Sequence, residues 1–369
     1  MSSASPELFL ALKRTESTFE EIPVIDIHDA HSKDPIARRK LADLIRDACI
    51  NVGFFYIQSH GIPDEIIDNT VKGAKRYFAL PESTKMELNI HKTPNFKGYT
   101  ALLGENTDST GLGDLHEGFD LGWESAPDDS SSSSESRKDG AMDGENVWPS
   151  DLPGFRETTL EYYHRVLNVG KSLFPLFALA LDLPENFFND KTTKPAAIMR
   201  LLHYPPQSPT SFETDPDGRQ IGIGAHTDYE CFTILWQDRA GGLQVQNTAG
   251  KWVDAVPIPG TLVVKYVLEP VPSHVYLILS PISFATASLG DQFARWTNDI
   301  FKSTLHRVIN RSGVERYSIP LFFGTNYDVP LEPIPTCVTP GSPSKYEIMT
   351  AGQYVKSRLE ATYAHSSAT

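Results

Sequence analysis

The sequence predicts an α+β fold in which helices of the first half brace a second half built as a double-sheet barrel or sandwich. Three observations predict it. Apolar residues recur at helical spacing up to about residue 183; from about Ala197 the pattern changes to short runs punctuated by Gly and Pro; and 369 residues can bury one large core.

The elements follow in order. Asp34-Pro35 can cap a helix in which Ala37, Leu41, Leu44, Ala48 and Val52 form the apolar stripe. A strand spans Gly53 to Gln58, and a second helix carries Ile66, Val71, Ala74 and Phe78. Residues 20–150 thus form an N-terminal region, which contains a Ser-rich segment, 125–144, too polar to repay the entropy of ordering. A long helix runs from about Phe155 to Leu183, with Leu160, Tyr163, Leu167, Phe174 and Phe177 inward. The strand-rich region, 195–330, includes Thr233 to Gln237, Leu243 to Gln246, Trp252 to Val256 and Thr261 to Val264. Residues 331–369 form a C-terminal tail and helix.

His226, Asp228, His306, Arg316 and Ser318 carry the chemistry. Residues two apart on a strand share a face, so His226 and Asp228 can grip one ion if Gly222 to His226 runs into a strand end. His306 completes the set from a distant strand, with Val308 and Asn310 on the same side. Two imidazoles and one carboxylate fill one face of an octahedron and leave the other open, the layout of a non-haem iron site. Arg316 and Ser318 repeat the two-residue spacing and set a guanidinium beside a hydroxyl, a pair that can hold a carboxylate. Tyr204 is a candidate third donor to that anion, although tyrosines are also common as packed residues. A lone histidine is more often packed than metal-bound; the ordered set is what carries the metal reading. His116 and His203 lack partners at ligand spacing and read as hydrogen-bonded structural residues.

At these residues the chain resembles the iron(II) and 2-oxoglutarate-dependent dioxygenase superfamily, in the branch that includes isopenicillin N synthase and the plant flavonoid and gibberellin oxygenases. The likeness covers most of the chain. It includes Ile22-Pro-Val-Ile-Asp26, Gly53-Phe-Phe-Tyr-Ile-Gln-Ser-His-Gly61 and Phe78-Ala-Leu-Pro81, while Gly104-Glu-Asn, Asp114-Leu-His-Glu-Gly-Phe-Asp120 and Leu202-His-Tyr-Pro-Pro206 are similar to fungal and bacterial members. The resemblance sharpens the fold to a distorted jelly roll, a double-stranded β-helix whose mouth holds the metal. It implies Fe(II) on His226, Asp228 and His306, with 2-oxoglutarate held by Arg316, Ser318 and Tyr204. O₂ would be reduced, succinate and CO₂ released, and a small-molecule substrate hydroxylated, desaturated or cyclised. An oxidase that needs no 2-oxoglutarate, and a form without enzymatic activity, remain as alternatives. Substrate identity is not encoded legibly; secondary metabolism, or nucleobase and amino-acid oxidation, is suggested by association only.

One departure is large. Thr261-Leu-Val-Val resembles the family strand that continues as Asn-hydrophobic-Gly-Asp, but Lys265 leads into residues 266–288 before Leu289-Gly-Asp291 resumes the pattern. The 78 positions from Asp228 to His306 fall to 55 without those 23, close to the family interval. Lys-Tyr-Val can be encoded with a GTATGT splice donor and Ser288 with an acceptor AG, and joining the flanks restores Asn. The segment is therefore read as a translated, in-frame intron. The other reading is a surface loop, against which Val275 to Leu279 and Ile282 to Phe284 are strongly apolar and Glu269 is the only charged residue of the insert.

The net charge of −14 argues against nucleic acid and anionic membrane surfaces as partners. Cys49, Cys231 and Cys337 show neither disulfide nor zinc spacing, which fits a reducing compartment. Leu8-Phe-Leu-Ala-Leu12 is too short for a signal core and lacks a basic start, so the cytosol is expected; a monomer is expected as well.

Overall fold

The computed structural model describes residues 18–107, 113–124, 144–207, 222–265, 291–301, 304–310 and 312–364. The Ser-rich segment, all but Gly144, and the whole insert 266–288 lie outside the described residues.

Strand β1 (Val24–Asp26) leads to helix α1 (Pro35–Asn51) and strand β2 (Phe54–Gln58). Asp34 caps α1 as its sequence suggests, accepting the Ile36 N–H at 2.9 Å, with Pro35 in the first turn where no N–H is needed. The buried stripe is Leu41, Ala42, Ile45, Ala48 and Cys49, whereas the expected Leu44 is 56% exposed. The rotation has a polar cause: Arg46 is buried against the end of the long helix, donating to the Ala180 carbonyl and to Asp182 at 2.6 Å, which turns Ile45 inward and Leu44 out.

Helices α2 (Asp64–Phe78) and α3 (Glu82–Glu87) are followed by strands β3 (Gly98–Thr100) and β4 (Glu117–Leu121), and then by α4 (Phe155–Ala180). On α4 the residues expected inward, Leu160, Tyr163, Leu167, Phe174 and Phe177, are all buried. Phe174 meets Phe232 and Phe323 at ring separations of 5.4 Å each, and Gly170 permits that approach, because a Cβ there would stand 2.3 Å from the Phe323 ring.

The second half supplies β5 (Ala197–Tyr204), β6 (Ile223–His226), β7 (Phe232–Gln237), β8 (Leu243–Gln246), β9 (Trp252–Asp254), β10 (Leu262–Lys265), helix α5 (Asp291–Thr297), β11 (His306–Val308), β12 (Arg316–Phe323) and helix α6 (Ala351–Ala364). The strands form an eight-stranded sheet, in the order β1-β2-β10-β7-β12-β5-β4-β3, and a four-stranded sheet, β6-β11-β8-β9. All pairs are antiparallel except β1 with β2. This is the predicted α+β architecture with its jelly-roll core. The N-terminal region proves more than a helical brace, since β1 to β4 sit on the two flanks of the large sheet and make both halves of the chain one fold. Among the described residues no helix is long and apolar enough to cross a membrane.

Candidate metal centre and anion clamp

The two sheets face each other across a cavity of about 120 Å³, lined by His226, Asp228, His306, Arg316, Ser318 and Tyr204 among others. All six candidate site residues therefore reach one chamber.

The four-stranded sheet carries the imidazoles. β6 and β11 pair antiparallel with His306 directly opposite His226, and the ring centroids are 4.2 Å apart. Asp228 lies just past the end of β6, with its Oδ1 3.8 Å from His226 Nε2 and 3.6 Å from His306 Nε2. One ligand atom from each of the three lies within 4.8 Å of the others, a spacing that suits a single ion. His226 Nδ1 faces the Gly224 carbonyl at 2.8 Å, which fixes the ring and leaves Nε2 for the centre. Gly224 is itself held, its N–H donating to Asp114 at 2.8 Å, while His116 Nδ1 meets the Gly222 carbonyl at 3.0 Å. The Asp114 to Asp120 motif thus clamps the strand that presents His226. His116 and His203 are hydrogen-bonded structural residues, the latter on Glu117 at 2.8 Å.

Protonation states match the ligand forms of all three groups. Burial, reinforced by His306, pushes the His226 imidazole well below its ordinary range and keeps it neutral. Burial and the Lys265 charge do the same for His306. Burial alone would raise the Asp228 carboxyl, but the adjacent Lys265 ammonium outweighs it and holds the group well below the usual carboxylate range. Thr233 adds a hydrogen bond to Asp228 Oδ2 at 2.6 Å.

The eight-stranded sheet carries the clamp. Arg316 on β12 is paired with Tyr204 on β5, so the guanidinium sits over the Tyr204 ring, 4.5 Å from its centroid. Arg316 is 1% exposed and donates to the Gly241 carbonyl at 2.6 Å and to Ser318 Oγ at 3.1 Å. Among the described residues no carboxylate pairs with it. A buried guanidinium satisfied only by neutral oxygens is suited to an anionic partner. Burial raises the Tyr204 phenol, an effect that Arg316 and Ser318 oppose, so the hydroxyl stays protonated and able to donate.

The first half of the chain matches the family model described as non-haem dioxygenase in morphine synthesis N-terminal, over residues 22–151. The second half matches that of the 2OG-Fe(II) oxygenase superfamily, over residues 195–268 and 279–325. The chain belongs to the 2OG-Fe(II) oxygenase superfamily. It is an oxidoreductase that uses Fe(II), 2-oxoglutarate and O₂. A 2-oxoglutarate-Fe(II) type oxidoreductase of Emericella nidulans, hxnY, is 35% identical over 351 residues, covering 94% of this chain and 91% of its own. A homoarginine-6-hydroxylase of Glycine max is 31% identical over 89% of this chain and 92% of its own. The crystal structure of a full-length Neurospora crassa protein in complex with alpha-KG and thymine superposes with a TM-score of 0.75 at 28% identity, over 92% of this oxygenase and 96% of that chain. These relatives favour the 2-oxoglutarate-dependent reading over the independent oxidase.

Several residues of the oxygenase's cavity escape the sequence reading. Lys265, at the end of β10, lies at the centre of the site, and Arg200 on β5 enters the cavity held by Glu105 at 2.6 Å and Asp120 at 2.7 Å. Helix α6 contributes Val355 and Leu359. Phe232 and Phe323 pack in the core against α4, whereas Phe322 faces the cavity, because neighbours on a strand point to opposite faces. Only the alternation of β10, with Lys265 in phase with Val263, could have placed the lysine inside.

Proposed function

We propose that His226, Asp228 and His306 hold the iron, and that Arg316, Ser318 and Tyr204 seat the distal carboxylate of 2-oxoglutarate, for oxidation of a small molecule. The observation that carries this reading is the buried Arg316, without a carboxylate among the described residues, in the same chamber as the His-Asp-His group. Bound iron supplies the oxidising chemistry, coupling O₂ reduction to decarboxylation of 2-oxoglutarate to succinate and CO₂. The chain's own residues bind and orient. The Arg316 fork and the Ser318 hydroxyl would fix one end of the cosubstrate, and His226, Asp228 and His306 would hold the metal toward its other end.

The substrate would enter past Leu202, Phe322, Val355 and Leu359, where apolar walls exclude water, and meet the polar group formed by Arg200, Glu105 and Asp120. The thymine and homoarginine named for the relatives make small nitrogen-rich compounds the first to assay. The enzyme would work as a monomer in the cytosol, a reading supported by the net charge of −14 and by three buried free cysteines. Light scattering of the purified protein tests the monomer.

The decisive assay follows succinate formation against O₂ uptake. Stoichiometric succinate in the presence of substrate is expected, and oxygen consumed with no succinate defeats the reading. Residues 266–288 are proposed as a translated intron that separates two parts of one family strand. The interruption of the family match between residues 268 and 279 supports an insertion within this segment, whose flanks the match still spans. Transcript sequencing decides the matter, and a mature message that always keeps the segment rules it out.

A further inference from the structure

Lys265 is buried, 6% exposed, with its ammonium inside the candidate metal centre. Nζ stands 3.0 Å from Asp228 Oδ1, 2.8 Å from Asp228 Oδ2 and 2.9 Å from His306 Nε2. An ammonium only donates, so His306 Nε2 must accept, and an imidazole nitrogen has one lone pair to offer. While that hydrogen bond lasts, the nitrogen cannot ligate a metal. Both oxygens of the single carboxylate are engaged as well.

The placement follows from the strand register. β10 pairs with β7 so that Lys265 stands opposite Thr233, the residue that hydrogen-bonds Asp228. Leu262 and Val264 pack in the main core, and Val263 packs with Tyr204 and Leu235 toward the other side. Lys265, two residues from Val263, therefore points to the site. A charged side chain so deeply buried survives only with partners, and the partners here are two of the three candidate iron ligands.

We propose that Lys265 is a built-in competitor for the metal seat: this form of the chain binds a divalent ion only by expelling the ammonium, and a form with a short neutral residue at 265 binds it far more tightly. The inference rests on the proposed role of His226, Asp228 and His306. It also joins the metal site to the insert, because removal of residues 266–288 as an intron would convert Lys265 to Asn at the same step that closes the strand. Retention or removal of the segment would then switch metal affinity as well as strand continuity.

Anaerobic titration with Co(II), read by its visible absorbance, tests this in the full chain, in Lys265→Asn and in Lys265→Leu, each checked for a native-like thermal transition. At least a tenfold lower Kd in both variants is expected. Equal values for all three proteins would overturn the role of Lys265 and leave the metal reading standing, whereas no binding by any of them, matched by His306→Ala in the Lys265→Asn background, would overturn both. A second measurement needs no variant. Saturating Co(II) should raise acylation of Lys265 in the unaltered protein several-fold, as followed by mass spectrometry, and an unchanged rate would refute the displacement.

Discussion

The two ends of the cavity are electrostatic opposites. At one end the Asp228 carboxylate already has an internal cation, Lys265, within 3.0 Å, whereas at the other the Arg316 guanidinium has only neutral acceptors among the described residues. Both charges are buried, so each depends on what neutralises it. On the proposed reading, the anion end can receive a ligand directly, while the metal end must first lose a partner.

The largest effect that would sharpen this contrast is loss of a ligand. In the Lys265→Asn background, His306→Ala should weaken Co(II) binding by more than ~100-fold, since even groups that only orient a ligand are worth about 10- to 100-fold. A loss smaller than threefold would place the metal elsewhere. Next comes the clamp. Arg316→Met should weaken 2-oxoglutarate binding by roughly 100-fold, as expected for truncating one partner of a buried charge pair. Ser318→Ala should cost about fivefold, the worth of one neutral hydrogen bond. Substrate-dependent KM values for 2-oxoglutarate report both, and an unchanged KM in Arg316→Met breaks the comparison outright.

Thr233 makes a finer probe of the metal end, because its hydroxyl holds Asp228 without reaching the centre itself. Thr233→Val should reduce metal affinity about tenfold and leave the KM for 2-oxoglutarate unaltered. A change in KM alone would assign the threonine to the wrong end of the cavity.

The smallest expected effect lies in the outer polar group. Burial, aided by the charge of Glu105, raises Asp120 from an ordinary 3.8 to about 7. Between those values the folded protein binds more protons than the unfolded chain, so this group lowers stability as pH rises from about 4 to about 7. Asp120→Asn removes that slope. Its stability relative to the unaltered protein should therefore climb across this range, by at most ~1.4 kcal/mol per pH unit. Urea midpoints at several pH values measure it, and parallel profiles would discount the shift.

Much of the site was legible because ligands and clamp obey short-range rules. Residues two apart on a strand share a face, which related His226 to Asp228 and Arg316 to Ser318 before any fold was known. The cap at Asp34 and the inward face of α4 were readable for the same reason. Lys265 was not. Its residue type suggests a surface, and only the pairing of β10 with β7 brings its ammonium to Asp228. Phe322 and Phe323 illustrate the same limit, since alternation establishes that they face oppositely and leaves undetermined which one meets α4. Strand β4 was missed because it joins the sheet through the distant β5, and β3 because it pairs with β4 at the sheet edge.

By itself the sequence determined the chemistry available to this oxygenase: two imidazoles, one carboxylate and a guanidinium-hydroxyl pair, at spacings that backbone geometry converts directly into shared faces. The tertiary structure alone decided the balance of charge around them. Which cation stands beside Asp228 and which is left for a ligand depends on long-range strand register. Burial at that register turns a difference of a few ångströms into the difference between a satisfied charge and an open binding site.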